Sequence, residues 1–344
     1  MTPILLFIIL TSLSYLGVWI IRCYAERRQL LDHPNERSSH SLPTPRGGGL
    51  AIVLLVTGTG LWFMDEAEFS RNLVYIVCAI VIAFLGWRDD THSLSPRVRF
   101  AVQGLVAAAS IWGLGYFESV TIPIFGELQL GTVGIIITFL WIIGLTNAYN
   151  FMDGIDGMAG GVAFAAGIGW MELTANISYL QNSFVYWVAF AIAAGSLGFL
   201  GHNWSPARIF MGDVASTFLG YTFAVMPLMA ANEEGDALML GTLLMWTIIM
   251  DAGVTFIRRA LKRENVLSAH RTHLYQRLVI GGYSHGWISA MYIVFTFVAL
   301  RLAADWGDGN PVASVLILFG LPLIYYGLHR HANLLLSTKG TKGS

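Results

Sequence analysis

The feature that most constrains this chain is a series of apolar stretches, each long enough to cross the ~30 Å hydrocarbon core of a bilayer. Hydrophobic residues make up 55% of the sequence and charged residues only 12%, which is far too apolar for a water-soluble fold of this length. The pattern predicts an all-α integral membrane protein, a polytopic bundle of about 11 transmembrane helices. The predicted spans are residues 3–21, 48–64, 72–87, 99–117, 131–147, 158–175, 184–200, 214–231, 237–257, 285–303 and 311–328.

Charge between the spans predicts the orientation. The first span has no basic residue before it and Arg22 after it, which favours a transmembrane helix entering from outside over a cleaved signal peptide. Of the 20 basic residues, 18 lie in alternate connections, and the other connections hold only Arg71 and Arg301. The positive-inside rule therefore predicts a periplasmic N-terminus and a cytoplasmic C-terminus. We predict one polytopic domain over residues 1–336 and a short polar tail over residues 337–344.

A pair of adjacent carboxylates, Asp89 and Asp90, follows the third predicted span. Such neighbours repel each other unless a proton or a cation lies between them. Mg²⁺ prefers oxygen ligands and bridges readily to phosphate oxygens, so the pair predicts a metal site on the cytoplasmic face. The alternative is an ordinary solvated helix end.

A second polar cluster runs from Asn147 to Gly157, with polar residues at every third position. On a continuous helix Asn147 and Asp156 would face opposite sides. The glycines instead predict that the helix ends near Asn150 and that a loop gathers the side chains into one site. A simple turn formed by Asp-Gly dipeptides is the alternative. The candidate residues are Asn150, Asp153, Gly154 and Asp156.

A third cluster, Asn203, Phe210 and Asp213, lies between the seventh and eighth predicted spans. Asp213 suits an N-cap of the eighth helix or a fixed metal ligand, and these two roles are compatible. Phe210 suits an interface anchor or a ring on which a nucleobase stacks. Asn203 is a further candidate for nucleotide binding.

The longest cytoplasmic connection contains His270, Arg271 and His273. A positive-inside loop explains its other basic residues, but two histidines grouped with an arginine suit a diphosphate or a sugar. Together the four segments place acidic metal ligands opposite cationic phosphate binders on one membrane face. That combination is typical of phosphoryl transfer.

Two other classes of function remain to be weighed. A multi-pass transporter of an anionic or lipid-linked substrate would place its ionisable residues near the bilayer midplane, whereas here they cluster at one edge, with Asp251 as the exception. A prenyl transferase acting on carbon would use two Asp-rich helical motifs, which are absent. The net charge of −1 gives no field that attracts nucleic acid.

These segments resemble the polyprenyl-phosphate N-acetylhexosamine-1-phosphate transferases, glycosyltransferase family 4, and within it the O-antigen-initiating branch. The resemblance covers nearly the whole chain. It rests on Asp32 to His40 with Pro43 to Gly49, on Asp89-Asp90, on Asn147 to Gly157, on Phe210 to Asp213, and on His270 to His273.

The resemblance implies an enzyme of a bacterial inner membrane. It would transfer an N-acetylated amino-sugar 1-phosphate from a UDP-N-acetylhexosamine to undecaprenyl phosphate, releasing UMP and initiating O-antigen or related surface-polysaccharide synthesis. The implied cofactor is Mg²⁺, with Mn²⁺ as a second candidate, and the implied partners are the two substrates and the lipid bilayer. A homodimer is a possible assembly, and no nucleic acid partner is implied.

The resemblance also implies residue roles. Asp213 resembles the principal metal ligand, with Asp89, Asp90 and Asn150 beside it, and Phe210 resembles the uracil-stacking residue. Asp89 resembles the base proposed for the lipid phosphate, and we favour direct displacement over a covalent aspartyl intermediate. The nucleotide-binding set would be Asn150, Asp153, Gly154, Asp156, Asn203 and Phe210; the catalytic set would be Asp89, Asp90, Asp153, Asp156, Asp213, His270, Arg271 and His273.

Two departures from the family pattern bear on the substrate. Arg271 interrupts the run of three histidines typical of the muramoyl-pentapeptide branch, which argues against a peptidoglycan precursor. Branches that use N-acetylglucosamine often carry a third aspartate shortly after the pair, and this sequence has none there. The likeness is closer to the branch that handles N-acetylated amino sugars, including 6-deoxy sugars.

Overall fold

The structure, a computed structural model, describes residues 2–34, 42–64, 66–176, 183–230, 236–264 and 271–340. Helices dominate these ranges. Their bounds are α1 Pro3–Arg27, α2 Leu50–Trp62, α3 Phe69–Thr91, α4 Pro96–Leu114, α5 Val133–Met152, α6 Met158–Asn176, α7 Phe184–Asn203, α8 Asp213–Ala230, α9 Asp236–Leu244, α10 Trp246–Leu261, α11 Leu274–Gly281, α12 His285–Gly307, α13 Pro311–Val315 and α14 Leu321–Gly340, with a π-helical turn at Leu316–Gly320 between the last two.

Every predicted span coincides with one of these helices or with a broken helix. Among the described residues, seven helical segments are long and apolar enough to cross a membrane, and the number rises to eight if α9 and α10 are one span. Helices α2, α4 and α6 are not among these segments, because each is either too short or not apolar enough. The structure therefore supports an all-α integral membrane protein, whereas the count of eleven and the orientation stay predictions.

Helix starts follow from local capping chemistry. Ser95, Ser183 and Ser284 each precede a helix, and each side chain accepts a hydrogen bond from a backbone N–H in the first turn. Pro96 and Pro311 occupy the first helical position, where a missing N–H costs nothing. The sequence thus encodes the boundaries at which the chain re-enters the bundle.

The bundle is built around α7 and α8, where 78% and 89% of the most apolar 18-residue stretch is buried. In α1, at the periphery, the buried share is only 11%. Small residues let the central helices approach closely. A Cβ on Gly167 of α6 would lie 2.8 Å from the Ala193 nitrogen of α7, and one on Gly198 of α7 would lie 2.7 Å from Ser14 Cβ of α1. Close approach through small residues is how helices gain packing energy in lipid.

Three features were not predicted from the sequence. Two antiparallel hairpins are present, β1 Leu31–Asp32 with β2 Thr44–Pro45 and β3 Ser119–Ile122 with β4 Gly126–Gln129. The predicted span 237–257 is bent by 80° between α9 and α10. The last helix continues to Gly340, beyond the predicted tail boundary at Leu336.

Candidate active site at one end of the helix bundle

The N-terminus of α8 is held by the carboxylate of Asp90 at the end of α3. Its two oxygens accept hydrogen bonds from the backbone N–H groups of Asp213, at 3.1 Å, and Val214, at 3.0 Å. A carboxylate in this position satisfies unpaired N–H groups and the positive end of the helix dipole. Asp90 therefore fixes the position of Asp213.

Close contact between α3 and α8 depends on a glycine. A Cβ on Gly86, one turn before the carboxylate pair, would overlap the backbone carbonyl of Asp213. The same contact continues into the loop before α8, where a Cβ on Gly212 would lie 2.8 Å from Asp90 Oδ2. Gly212 also has a φ of +81°, a left-handed conformation that favours glycine.

The glycine-rich turn before α2 packs against the Phe210 segment. Phe210 N–H donates to the Pro45 carbonyl at 2.8 Å, and the Phe210 carbonyl accepts from Gly48 N–H at 2.9 Å. Gly49 N–H donates to Met211 O at 3.0 Å, and Arg46 donates to the backbone carbonyl of Asp90. This pairing fixes Phe210, which is partly exposed, beside the carboxylates.

Asp89 is held on the other side of the pair. Its Oδ2 forms an ion pair with Arg99 Nη1 of α4 at 2.9 Å, and its Oδ1 accepts from Leu94 N–H at 2.6 Å. The Asp89 side chain also lies within hydrogen-bonding reach of the Asp213 side chain. Two carboxylates from helices distant in sequence therefore adjoin each other.

The Asn147–Gly157 segment brings two more polar side chains to this place. Helix α5 ends at Met152, two residues later than expected, and Gly157 turns the chain with a φ of +78°. Asn150 Oδ1 accepts from Ser216 Oγ of α8 at 2.6 Å. Burial, reinforced by the negative charges of Asp213, Asp90 and Asp156, raises the pKa of Asp153 well above its ordinary range. Asp153 thus joins the cluster.

Asp156 lies at the edge of the cluster and has different partners. Its Oδ2 accepts from Ala207 N–H at 3.1 Å, and its Oδ1 lies 3.4 Å from His285 Nδ1. Burial raises the pKa of Asp156, but the hydrogen bonds from His285 and Ala207 outweigh burial and hold the pKa below its ordinary value. The carboxylate is therefore ionised and oriented toward α12.

Asn203 connects two loops of the site. Its side chain is buried, its Oδ1 accepts from Gly157 N–H at 3.0 Å, and its Nδ2 donates to Ile209 O at 2.9 Å. Both polar atoms of the Asn203 side chain thus bond to the protein backbone. Asn203 was predicted to bind the nucleotide, but these bonds indicate that it positions the two loops.

The start of α11 carries His273 and is anchored by the fully buried Asp251. Asp251 accepts from Leu274 N–H at 2.7 Å, Tyr275 N–H at 3.2 Å and Tyr292 Oη at 2.7 Å, and its Oδ1 lies 3.3 Å from His273 Nδ1. Tyr275 Oη in turn donates to the Phe151 carbonyl at 2.9 Å, beside Gly154, where a Cβ would overlap that hydroxyl.

This network places the Arg271–His273 segment at the end of α5. Arg271 is partly buried, and its charge acts on Tyr275. His270, predicted to belong to the same group, lies outside the described residues, as does the segment from Asn35 to His40.

The donor set fits a divalent cation bound together with phosphate. Among the described residues, no three His, Cys, Asp or Glu side chains form a ready metal site. Mg²⁺ commonly takes only one or two carboxylates and completes its shell with water and substrate phosphate oxygens. Asp89 and Asp213 supply such oxygens side by side, and Asp153 lies close to Asp213.

An apolar groove of about 510 Å³ lies between α5 and α10. Leu140, Ile249 and Phe256 lie along its walls. At its polar end are Asn147, Phe151, Arg259 and His273. The groove therefore runs from an apolar surface to the end of α5, the helix that Asp153 follows, and to His273.

The structure thus brings Asp89, Asp90, Asn150, Asp153, Phe210 and Asp213 together, with Asp156 at the edge and His273 across the end of α5. Sequence reasoning missed several partners of these residues. In the sequence, Arg99 contributes only to the charge pattern that predicts the orientation. Ser216 lies within the predicted apolar span 214–231, and His285 begins the predicted span 285–303. No local pattern distinguishes such residues, because their roles arise from contacts between helices.

Comparison with known proteins agrees with this architecture. The model for "Glycosyl transferase family 4" matches residues 72–231, which contain the carboxylate pair, the Asn147–Gly157 segment and Asp213. The fold and the site define a multi-pass bacterial membrane transferase.

Relatives with curated names are similar along most of their length. A probable undecaprenyl-phosphate N-acetylglucosaminyl 1-phosphate transferase of Bacillus subtilis (strain 168) is 30% identical over 297 residues, covering 83% of this chain and 82% of the relative. The undecaprenyl-phosphate alpha-N-acetylglucosaminyl 1-phosphate transferase of Escherichia coli (strain K12) is 29% identical, covering 91% and 86%. The decaprenyl-phosphate N-acetylglucosaminephosphotransferase of Mycobacterium tuberculosis (strain ATCC 25618 / H37Rv) is 27% identical, covering 90% and 83%. The chain belongs to the family 4 polyprenyl-phosphate N-acetylhexosamine-1-phosphate transferases.

Proposed function

We propose that this protein transfers an N-acetylated amino-sugar 1-phosphate from a UDP-sugar to undecaprenyl phosphate, releasing UMP, in a Mg²⁺-dependent reaction at a bacterial inner membrane. We further propose that the product initiates O-antigen or a related surface polysaccharide. The observation that carries the proposal is the convergence of Asp89, Asp153 and Asp213 from three separate helix ends. The end of α5 that precedes Asp153 also lines an apolar groove, through Asn147 and Phe151.

The groove supports a lipid-borne acceptor. Its walls are apolar along α5 and α10, as a polyprenyl chain requires, and its polar end holds Arg259 and His273. A phosphate at the head of such a chain would meet cationic and hydrogen-bonding groups there. The acceptors named for the relatives, undecaprenyl and decaprenyl phosphate, have this chemistry.

The carboxylate cluster supports a nucleotide-sugar donor held through a cation. Asp213, with Asp89, Asp90 and Asn150 beside it, would hold Mg²⁺. The ion would neutralise charge on the diphosphate and polarise its phosphorus–oxygen bonds. Phe210, partly exposed beside the cluster, offers a ring for the uracil base, and Arg271 and His273 offer donors to the sugar phosphate.

The reaction exchanges one phosphorus–oxygen bond for another. An oxygen of the lipid phosphate attacks the sugar-bearing phosphorus, the bond to the bridging oxygen breaks, and UMP leaves with the electron pair. Asp89, oriented by Arg99 and Leu94 N–H, would accept a proton from the lipid phosphate. Positioning and charge neutralisation would supply most of the rate, which favours direct displacement.

The decisive experiment follows UMP release by the purified protein with undecaprenyl phosphate and a panel of UDP-sugars, with and without Mg²⁺. We expect turnover only with N-acetylated amino sugars and only with the metal. Asp213→Asn and Asp89→Asn should each lower turnover at least about 100-fold, because each removes charge that stabilises the transition state. Asp308→Asn, the same change at an exposed position after α12, is the matched control.

A second readout separates metal binding from turnover. Mg²⁺ alone should raise the melting temperature of the wild type and of Asp308→Asn but not of Asp213→Asn, since only a bound ion stabilises the fold. Absence of UMP release from every donor would refute the proposed activity, and full activity of Asp213→Asn would refute the metal assignment.

A further inference from the structure

A second cavity lies on the opposite side of α10, between that helix and α14, and has a volume of about 600 Å³. Its walls are apolar over most of their length, and its polar residues lie together at one end. Leu261 and Tyr326, which line it, are largely exposed, so the cavity opens on the outer surface of the bundle. The apolar lining is Met250, Val254, Ile257, Leu261 and Pro322, and the polar lining is Arg258, Lys262, Tyr325 and His329.

Two buried donors near the polar end lack a partner among the described residues: Tyr325, which lines the cavity, and Arg277, which does not line it but whose charge acts on Tyr325. The Tyr325 side chain is only 6% exposed, and its hydroxyl makes no hydrogen bond. Arg277 of α11, also 6% exposed, donates from Nη2 to Asn333 Oδ1, but its Nη1 is buried without a hydrogen bond. Buried polar groups without partners are costly, so such a pair points to a ligand.

The charge at this end is not balanced within the described part of the protein. Arg258, Lys262 and Arg277 form no ion pair there, and the charges of Arg258 and Arg277 both act on Tyr325 and His329. The nearby carboxylate, Asp251, already accepts hydrogen bonds from Leu274, Tyr275 and Tyr292. An anion would relieve the mutual repulsion of these cations.

We propose that this cavity binds one anionic phospholipid. Its phosphate would lie between Tyr325 Oη and the cationic groups of Arg258 and Lys262, with the charge of Arg277 nearby, and one acyl chain would lie along α10 and α14. A free phosphate would leave the apolar walls uncovered, and a neutral lipid would leave the cations unbalanced. The polar end also lies near the C-terminal end of α10, on the predicted cytoplasmic side, where anionic lipids concentrate.

The site would also fix the segment that carries His273. Arg258 donates from Nη2 to the Thr272 carbonyl at 2.6 Å, and Arg277 belongs to α11, which begins directly after His273. A phosphate bound at Arg258 and Tyr325 would therefore connect α10 and α14, and it would offset the repulsion between Arg258 and Arg277 of α11. The lipid-binding proposal does not depend on the proposed transferase activity and is tested without any sugar donor.

The test titrates the delipidated full-length protein with phosphatidylglycerol or phosphatidylcholine of identical acyl chains, with bound lipid counted by native mass spectrometry. We expect one tightly bound phosphatidylglycerol and markedly weaker phosphatidylcholine. Lys262→Gln should weaken phosphatidylglycerol about fivefold, the contribution of one basic residue near an anionic lipid. Tyr325→Phe should weaken it by about tenfold, as expected for a lost hydrogen bond to a charged group.

Arg263→Gln is the matched control, because it removes the same charge at the next exposed position, which does not line the cavity. It should leave the affinity within about twofold of the wild type, since a surface charge outside the site contributes little. The proposal is wrong if the two lipids bind equally, if Arg263→Gln weakens binding as much as Lys262→Gln, or if inorganic phosphate occupies the site and phosphatidylglycerol adds nothing. If Tyr325→Phe does not fold, the exposed Lys262 position decides the test.

Discussion

Asp153 and Asp156 lie three positions apart on one loop, yet their surroundings affect their charge in opposite directions. Burial and three neighbouring carboxylates raise the pKa of Asp153 well above its ordinary range. Asp156 is also partly buried, but bonds from His285 and Ala207 hold its pKa below the ordinary value. The first carboxylate therefore destabilises the metal-free protein at neutral pH, and the second stabilises it.

This contrast predicts opposite effects of one substitution on stability. In EDTA at neutral pH, Asp153→Asn should raise the melting temperature, because the neutral amide replaces a carboxyl group whose ionisation is disfavoured by burial and by the neighbouring carboxylates. Asp156→Asn should lower the melting temperature, because the amide loses the charge that pairs with His285. Thermal unfolding in detergent, monitored by circular dichroism, measures both, and each variant is the control for the other.

The pH dependence of the stability follows from the directions of these two pKa shifts. The penalty from Asp153 develops as the pH rises above the carboxyl pKa of the unfolded chain, so the stabilisation by Asp153→Asn should shrink in acid. The contribution of Asp156 is complete above its unfolded pKa and is lost as the pH falls through its lower folded pKa. Equal changes in melting temperature for both variants at neutral pH would contradict this account.

Among the elements, α3 and α8 determine the geometry of the carboxylate cluster. Asp89 and Asp90 end one helix and Asp213 begins the other, and the two backbones meet where Gly86 has no side chain. Any added atom at Gly86 has to displace the Asp213 carbonyl. Spacing between these two helices therefore decides whether the carboxylates can share a ligand.

Gly86→Ala should separate the two helices and reduce turnover at least about tenfold, because small displacements of reacting groups are costly. The accompanying loss of stability should be about 1–3 kcal/mol, as for other overpacked sites. Gly58→Ala is the matched control, since a Cβ at this exposed position of α2 meets nothing within 4 Å. UMP release and thermal unfolding of both variants test the prediction; unchanged turnover in Gly86→Ala would show that this close contact does not position the site.

At the scale of the whole molecule, the polar site occupies one end of the bundle. Helices α3, α5 and α7 end there, and α8 and α12 begin there, so the carboxylates, Asn203 and His285 come from chain segments running in alternate directions. This arrangement agrees with the alternation of basic connections along the sequence. The site therefore lies at the end of the bundle that carries the basic connections, which the sequence predicts to be cytoplasmic.

Accessibility labelling tests that orientation. Cysteines introduced at Thr91 and Glu234, in a background without Cys23 and Cys78, should react with an impermeant maleimide from opposite sides of the membrane. Thr91 should be labelled only after cytoplasmic access, because it follows the carboxylate pair, whereas Glu234 should be labelled in intact cells. Labelling of both from the same side would refute the topology.

The sequence by itself determined the helical segments, because apolar stretches of spanning length and their serine and proline caps act locally. It also identified the polar residues that meet in the site, since a carboxylate at the membrane is energetically costly and is therefore a candidate functional residue. It did not determine the 80° bend before Trp246 or the later end of α5 at Met152.

Only the tertiary structure decided the role of each polar residue. Asp90 caps α8, Asn203 connects two loops, and Asp251 anchors α11, although all three looked like candidate ligands or isolated polar residues in the sequence. Val214 lies 124 positions from Asp90, Gly157 lies 46 positions from Asn203, and Leu274 lies 23 positions from Asp251. Hydrogen bonds and ion pairs depend on distances of a few ångströms between helices, and no local pattern in the chain encodes those distances.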